Sequence, residues 1–206
     1  MLPSHILQTI GLMALAYLVG SVPFSYLVAR ANGVDLQQVG SGNVGGANVW
    51  RSCGFGPFVI AAIGDVTKGI LPTLIALHVA KLSPAEVMLV GVAAILGHTF
   101  SIFLHFTGGK AVATSTGVLL AVFPVLIPFG VLAWLIAFLL TRMSSVGSLT
   151  AATVEFILAT VLYVQGQLPL AYTIFIWAAG VFIVYLHREN IQRLLAGTEN
   201  RFGKLF

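Results

Sequence analysis

Long apolar runs, separated by short polar linkers, make up most of this chain. The runs cover residues 5–29, 57–80, 85–106, 112–140, 148–165 and 168–186. A helix needs about 20 predominantly apolar residues to cross a bilayer, and these runs are of that order or longer. A transmembrane barrel would instead show short segments of alternating polarity, and the chain has none. The pattern therefore predicts an all-α integral membrane protein.

The run 112–140 differs from the others because prolines interrupt it. Pro124 and Pro128 lack the amide hydrogen that a helix interior uses, and each disfavours helical geometry in the residue before it. The interruption predicts a tight hairpin of two short helices of about 13 residues, each covering about 20 Å. One continuous helix through this run is the alternative.

The few charges indicate how the helices are oriented. Charged residues make up 8% of the chain, against about 25% in soluble domains, which disfavours a soluble helical bundle. With the N-terminus outside and the hairpin counted as two segments, every Lys and Arg except Lys81 falls on the cytoplasmic side. We therefore expect about seven transmembrane helices, some of them short, with the N-terminus outside and the C-terminus cytoplasmic.

Other whole-chain features narrow the class of protein further. The first run has no basic residues before it and carries Arg30 at its far end, which favours a retained span over a cleaved signal peptide. Cys53 is the only cysteine, so there is no internal disulfide and no metal-ligand spacing. The net charge of +4 fits the positive-inside bias, and no nucleic-acid motif accompanies it. Since no internal repeat is visible, we expect one domain over residues 1–206.

The first polar linker is a glycine-rich segment, VGSGNVGGANVWR, at residues 39–51. Its start matches the G-x-G-x-x-G pattern of dinucleotide-binding proteins, but that pattern needs a preceding strand and a βαβ unit. The chemistry still favours an anion, because glycines let backbone N–H groups approach closely, and Ser41, Asn43 and Arg51 add side-chain donors. The alternative is a flexible loop whose arginine only marks the cytoplasmic side.

Three further polar elements, residues 98–110, 142–148 and 187–193, contain groups that suit phosphate. The first ends in two glycines and Lys110, and lysine is a common point-charge partner of phosphate. The second holds three hydroxyls beside a glycine, and the third combines His, Asn and Arg after the last apolar run. A basic segment there can also be a topology anchor alone. Together the four elements predict a cytoplasmic anion or phosphate site, with transport and transformation of the phosphate as open alternatives.

Other polar residues lie within or at the ends of the apolar runs. Asp65 and Lys68 are one helical turn apart where charge is costly, so we expect them to pair or to face a polar cavity. His98 and His105 could share a helix face, although their spacing is not specific for a metal. Glu155 stands alone in its apolar run, with no partner evident from the sequence.

Three of these polar elements resemble the motifs of one family, the bacterial acyl-phosphate:glycerol-3-phosphate acyltransferases (the PlsY family). The matching stretches are SGNVGGAN at 41–48 with Arg51, GH at 97–98, FTGGKAVAT at 106–114, and HRENIQRL at 187–194 with Gly197, Glu199 and Arg201. Residues 64–69 and 145–148 also resemble family sequences, so the likeness covers nearly the whole chain in order. The chain departs from the family in having Gly46-Ala47 where Ala-Thr is more common, and Ala111 where Gly is usual.

The resemblance implies an enzyme that transfers a fatty acyl group from acyl phosphate to the 1-hydroxyl of glycerol 3-phosphate. The products are lysophosphatidic acid and phosphate, in the first acylation of phospholipid synthesis. Family members are seven-helix enzymes of the bacterial inner membrane, active on the cytoplasmic side and without a cofactor. We expect direct transfer, without an acyl-enzyme, by a monomer.

The resemblance also implies a set of site residues. Expected catalytic residues are Ser41, Arg51, Lys110, Ser145 and His187. Expected substrate-binding residues are Gly42, Asn43, Gly45, Asn48, His98, Gly108, Gly109, Ser148, Asn190 and Arg193. Arg51, Lys110 and His187 would hold phosphates together with Asn190, and Ser41 would stabilise the acyl phosphate or its oxyanion. A substrate phosphate would accept the hydroxyl proton, with His187 as the second candidate base.

Two other functions compete with this one. A small phosphate or anion carrier would place polar groups at mid-membrane depth and show an inverted repeat, whereas this sequence gathers them at one face. A different class of membrane acyltransferase uses a His-x-x-x-x-Asp pattern, and no histidine here is followed by aspartate at that spacing.

Overall fold

The computed structural model describes residues 4–203, and these form helices, with one isolated bridge between Ser101 and Thr107. The α-helices are α1 (Ser4–Ser21), α2 (Phe24–Ala31), α3 (Gly46–Cys53), α4 (Phe55–Leu74), α5 (Pro84–Thr99), α6 (Val112–Val122), α7 (Ile127–Thr141), α8 (Ser144–Val164), α9 (Leu170–Leu186) and α10 (Arg188–Leu195). A π-helical turn, Ile75–Val79, extends α4, and 3₁₀ turns occur at Ile102–Leu104 and Pro124–Leu126.

The described helices confirm the all-helical class, and several of them are long and apolar enough to span a membrane. Among the described residues, four stretches are long and apolar enough to cross a membrane: His5–Ala31, Phe55–Val79, Pro124–Thr141 and Ser144–Val164. A fifth candidate combines α9 and α10, which are bent by 56° at their junction. The helices α5 and α6 are apolar but shorter. The seven crossings and the orientation of the two ends stay predictions.

Two of the apolar runs are interrupted at prolines. Pro23 separates α1 from α2 within the first run, which the pattern predicted as one helix. The run 112–140 breaks at Phe123, whose φ of −150° and ψ of 70° are not helical, and Pro124 follows. The predicted break is therefore confirmed, with 11 residues in α6 and 15 in α7. That the two helices fold back as a hairpin stays a prediction.

The helix α5 ends earlier than the apolar pattern predicts. The run 85–106 suggested a helix throughout, but Ser101 already lies outside it. The Ser101 hydroxyl accepts a hydrogen bond from the Phe103 N–H at 3.2 Å and starts a 3₁₀ turn. His105 then adopts a left-handed conformation with φ of 53°. The prediction that His98 and His105 share a helix face is therefore wrong.

The chain divides after Phe123 into two compact units, which we describe separately. In unit 1, which ends at Phe123, α4 and α6 approach closely at Gly69 and Gly117. A methyl group at either position would collide with a backbone carbonyl of the other helix, so small residues set this distance. The apolar core under the α2–α3 loop consists of Ala29, Leu36, Val44, Val49, Ala61 and Leu104.

Unit 2 begins at Pro124, and aromatic rings hold its C-terminal segment in place. Trp134 and Phe138 of α7 stack with ring centroids 4.8 Å apart, and Phe202 meets Phe138 edge-on at 5.2 Å. The Phe202 N–H also donates to the Arg142 carbonyl at 2.8 Å. The segment after α10 therefore returns to the turn between α7 and α8.

Candidate functional site

Asn48 organises the glycine-rich loop between α2 and α3. Its side chain is 1% exposed, and its Nδ2 lies 3.0–3.1 Å from the carbonyl oxygens of Leu36, Val39 and Asn43. Its Oδ1 accepts the Ser41 N–H at 3.3 Å. These contacts occupy the carboxamide, so Asn48 holds the loop together, and its predicted substrate-binding role stays a prediction.

The backbone amides of this loop point toward the loop's own oxygen atoms. Gly42 N–H donates to Val39 O at 3.0 Å, Gly45 N–H to Asn43 O at 3.1 Å, and Asn43 N–H to Ser41 Oγ at 3.4 Å. Gly42 has φ of +69°, a conformation that glycine adopts without strain. These three amides are therefore occupied within the loop, and the predicted contribution of the loop backbone to an anion site stays a prediction.

Ser41 and Arg51 meet at the edge of the loop. The Arg51 guanidinium donates to Ser41 Oγ at 3.4 Å, and both residues are half-buried. Asn48 and Arg51 lie one turn apart on α3, so they share a face of the helix. By holding the loop, Asn48 therefore also helps to position Arg51 beside it. A permanently charged planar guanidinium beside a hydroxyl is a suitable pair of donors for a phosphate.

The second polar loop, residues 105–111, lies against the end of α5. Gly109 N–H donates to the His98 carbonyl at 3.1 Å. A methyl group at Gly109 would collide with the His98 imidazole, and one at Gly108 would collide with the His98 carbonyl. Glycine is therefore required by close approach at both positions. Lys110 follows directly and is half-buried.

Behind this loop, Asp65 and Lys68 form the ion pair that the sequence predicted. Lys68 Nζ lies 2.8 Å from Asp65 Oδ1, and both side chains are almost fully buried. Lys68 also donates to the Val22 carbonyl at 2.9 Å, and Ser25 Oγ donates to Asp65 Oδ2 at 2.6 Å. His98 Nδ1 lies 3.6 Å from Asp65 Oδ1.

In unit 2, three polar side chains converge on Glu199. Ser145 Oγ and Asn190 Nδ2 each donate to Glu199 Oε1 at 2.7 Å, and Arg193 Nε donates to Oε2 at 2.8 Å. Burial by itself raises the pKa of Glu199, but the hydrogen bonds from Asn190, Ser145 and Arg193 and the arginine charge outweigh it, so the pKa lies below its ordinary value. Glu199 is therefore an anion at neutral pH and a weak base.

A helix-terminating turn brings Glu199 to this position. Gly197 has φ of +72°, and the Thr198 N–H donates to the Arg193 carbonyl at 2.8 Å, which reverses the chain after α10. Sequence reasoning noted Glu199 only as part of a motif. Gly197, two residues before Glu199, was the local sign of a turn at this place. The partner Ser145 lies 54 positions away, so the local sequence does not indicate it.

His187 occupies the junction between α9 and α10 and is 4% exposed. Its Nδ1 lies 2.8 Å from the Ile183 carbonyl oxygen, which can only accept. Nδ1 therefore bears the hydrogen, and Nε2 is the basic nitrogen of the neutral ring. Ser148 is also buried, one turn after Ser145 on α8.

The predicted site residues divide between the two units. Unit 1 contains Ser41, Gly42, Asn43, Gly45, Asn48, Arg51, His98, Gly108, Gly109 and Lys110, and unit 2 contains Ser145, Ser148, His187, Asn190 and Arg193. Their individual roles stay predictions. Within residues 4–203, no group of three or more His, Cys, Asp or Glu is placed to hold a metal ion.

Comparison with known proteins finds relatives over nearly the whole chain. The profile of a family described as glycerol-3-phosphate acyltransferase matches residues 10–197. The chain is 59% identical over 200 residues to the glycerol-3-phosphate acyltransferase of Roseiflexus sp. (strain RS-1), covering 97% of this chain and 98% of that protein. It is 45% identical over 194 residues to a protein of that name from Thermus thermophilus, covering 93% of this chain and 94% of that protein.

Two solved structures show the same fold. One is a crystal structure of PlsY (YgiH), described as an integral membrane glycerol 3-phosphate acyltransferase in its glycerol 3-phosphate form. It has a TM-score of 0.88 and 41% identity, covering 96% of this chain and 97% of that chain. The lysophosphatidic acid form of PlsY has a TM-score of 0.86 and 40% identity, with the same coverage.

Proposed function

This chain belongs to the glycerol-3-phosphate acyltransferase family, as an integral membrane enzyme of the PlsY type, and from that premise we propose that its acyl donor is an acyl phosphate. The hydroxyl oxygen at position 1 of glycerol 3-phosphate attacks the acyl carbonyl carbon. A new ester bond forms, the bond from that carbon to the phosphate oxygen breaks, and inorganic phosphate leaves with the electron pair. A substrate phosphate takes the hydroxyl proton, and lysophosphatidic acid is the other product.

The contacts of Ser41 are the observation that supports this donor best. Its Oγ meets the Arg51 guanidinium and the Asn43 N–H, and neither group can remove a proton from the hydroxyl. A serine without a base is a poor nucleophile, whereas an acyl phosphate is a mixed anhydride that needs no prior activation on the enzyme. Ser41 instead donates toward the acyl phosphate or toward the oxyanion that develops on its carbonyl.

The cationic groups bind the two anionic substrates. Arg51 supplies a fork of donors for one phosphate, and Lys110 supplies a point charge. In unit 2, Asn190 and His187 contribute further phosphate contacts. Holding an anionic substrate in place in this way can account for a large part of a rate enhancement.

Ser145 and Ser148 orient glycerol 3-phosphate. The Ser145 hydroxyl hydrogen is engaged by Glu199, so only the lone pairs of its oxygen are left to accept a hydrogen bond from the substrate. The lowered pKa of Glu199 makes this carboxylate a weak base for activating Ser145, which favours direct transfer over an acyl-enzyme. If a side chain takes the substrate proton, His187 Nε2 is the candidate atom.

The charge pattern supports a proposal for the location and orientation of the enzyme. We place the enzyme in the bacterial inner membrane with its site on the cytoplasmic side, seven helices, the N-terminus outside and one domain over residues 1–206. It works as a monomer without a cofactor and supplies phospholipid synthesis. The bias of Lys and Arg toward one side supports this orientation.

Donor choice is tested with the purified protein in lipid vesicles. Glycerol 3-phosphate is mixed with acyl phosphate, acyl-CoA or acyl carrier protein of one chain length, and lysophosphatidic acid and free phosphate are followed. We expect turnover with acyl phosphate alone and equal amounts of the two products. Comparable rates with a thioester donor would show that the donor assignment is wrong.

The transfer route and the Lys110 role need separate measurements. Intact-protein mass after rapid quenching should show no acyl adduct, and an adduct on Ser41 or Ser145 would contradict direct transfer. Lys110→Ala should raise the KM for an anionic substrate or abolish turnover, while Lys81→Ala, an exposed lysine away from the polar loops, should behave as wild type.

A further inference from the structure

The buried ion pair of α4 is costly, because both charges lie away from water. Asp65 and Lys68 are each 2% exposed and lie in a helix that is apolar enough to span a membrane. Moving each charge out of water costs several kcal/mol, and an apolar pair of similar volume is often as stable or more so. An ionisable pair within a span therefore points to a functional requirement at this place.

Residues 65 and 68 connect α4 to two other segments, the break between α1 and α2 and the start of α6. Lys68 donates to the Val22 carbonyl, directly before Pro23, where the α1–α2 break leaves backbone groups without helical partners. The backbone carbonyl of Asp65 accepts the hydroxyl of Thr114 at 3.0 Å, in the first turn of α6. Asp65 is thus tied to the helix that begins directly after the Lys110 loop.

His98 links Asp65 to the Lys110 loop, residues 105–111, on the side of α5. The His98 imidazole lies between the Asp65 carboxylate, 3.6 Å from Nδ1, and Gly109, where no side chain fits. The His98 carbonyl accepts the Gly109 N–H. A small cavity lies beside this contact, and Asp65, Lys68, His98 and Gly109 all line it.

We propose that Asp65, Lys68 and His98 form a positioning cluster that sets where Lys110 stands, with the His98 imidazole as the support against which the Gly108–Gly109 segment packs. The cluster holds the loop through the His98 side chain, and the α4 backbone at residue 65 holds the start of α6 through Thr114. This inference rests on the proposed function, in which Lys110 binds a substrate phosphate. His98 thereby acts through the loop, which differs from the direct substrate contact that the sequence suggested.

A double-mutant cycle tests this coupling. His98→Ala, Gly109→Ala and the double variant are assayed in vesicles with acyl phosphate and glycerol 3-phosphate. Each single change should lower kcat/KM by about 10²-fold, because a misplacement of about 1 Å has that effect. The double variant should be no worse than the poorer single, since removing the imidazole relieves the collision with the new methyl group. Losses that multiply to about 10⁴-fold would overturn the proposal.

A second measurement separates positioning from general destabilisation. The losses in His98→Ala should fall on the same parameter, KM or kcat, and for the same substrate, as in Lys110→Ala. A different split would contradict the proposal. His98→Asn should retain part of the activity, and if the alanine variant does not fold, His98→Asn and Gly109→Ala provide the test. His78→Ala, an exposed histidine after α4, is the matched control.

The outcomes also distinguish this inference from the proposed function. If wild type gives no turnover with acyl phosphate, the donor assignment is wrong. The coupling is then tested by calorimetry, which measures the dissociation constant for glycerol 3-phosphate on the same variants. If Lys110→Ala is normal, the role of Lys110 fails. If Lys110→Ala is impaired but His98→Ala and Gly109→Ala are not, only the positioning cluster fails.

Discussion

Removing the Glu199 carboxylate should destabilise the protein and its unit 2 site together. Ser145, Asn190 and Arg193 all donate to this carboxylate at 2.7–2.8 Å, and Glu199 is 8% exposed. Removing one partner of a buried charged network costs about 3–5 kcal/mol. Because the Arg193 side chain is 31% exposed and therefore partly screened, we expect the lower end, about 3 kcal/mol, for Glu199→Ala.

The assay is the thermal midpoint of the purified protein in detergent, together with vesicle activity. For a chain of this size, about 3 kcal/mol corresponds to roughly 6–12 °C in the midpoint. Glu199→Gln keeps an acceptor oxygen and should lose about half as much. Glu189→Gln, which changes an exposed carboxylate of α10, is the matched control and should not shift the midpoint.

The pH dependence gives an independent check. The pKa of Glu199 is lowered in the folded protein, so the carboxylate contributes its full stability above the ordinary carboxyl pKa of about 4.3. That contribution is lost as the pH falls through the lowered pKa of the folded state. The midpoint difference between wild type and Glu199→Gln should therefore be largest at neutral pH and shrink below about pH 4. A difference that is absent, or that does not change with pH, would refute the assignment of Glu199 as the centre of this network.

Three other changes test separate parts of the structure. Arg51→Ala should lower kcat/KM in steady-state kinetics by at least about 10²-fold. Arg51→Lys should recover part of this loss, because lysine keeps the charge but not the planar fork. Unchanged values in both variants would show that Arg51 does not belong to the site. Ala111→Gly should raise the unfolding free energy by about 1 kcal/mol, because Ala111 has a φ of 65° that glycine adopts without strain, and a lower thermal midpoint would contradict this. Asn48→Ala should leave the carbonyls of the α2–α3 loop unsatisfied and increase protease cleavage within residues 36–45, whereas Asn32→Ala, an exposed asparagine after α2, should not.

The short-range features of the fold follow from the order of residues along the chain. Long apolar runs require helices in a bilayer, because no water is present there to satisfy an open backbone. Pro124 marks the break between α6 and α7 for a reason internal to one residue, its missing N–H. Asp65 and Lys68 pair because residues one turn apart on a helix share a face. Each of these outcomes depends on neighbours within a few positions.

Tertiary contacts decided the features that sequence reasoning missed. The helix α5 ends at Thr99, and the Ser101 hydroxyl just beyond it donates to the Ser21 carbonyl, a contact across 80 positions that the apolar pattern does not register. The side-chain amide of Asn48 forms its hydrogen bonds only with the folded loop. Glu199 becomes the centre of the unit 2 hydrogen-bond network only when folding brings Ser145 to it from 54 positions away. Hydrophobic periodicity encodes which face of a helix is buried, but a hydrogen bond between distant residues exists only once packing has placed both partners within about 3 Å.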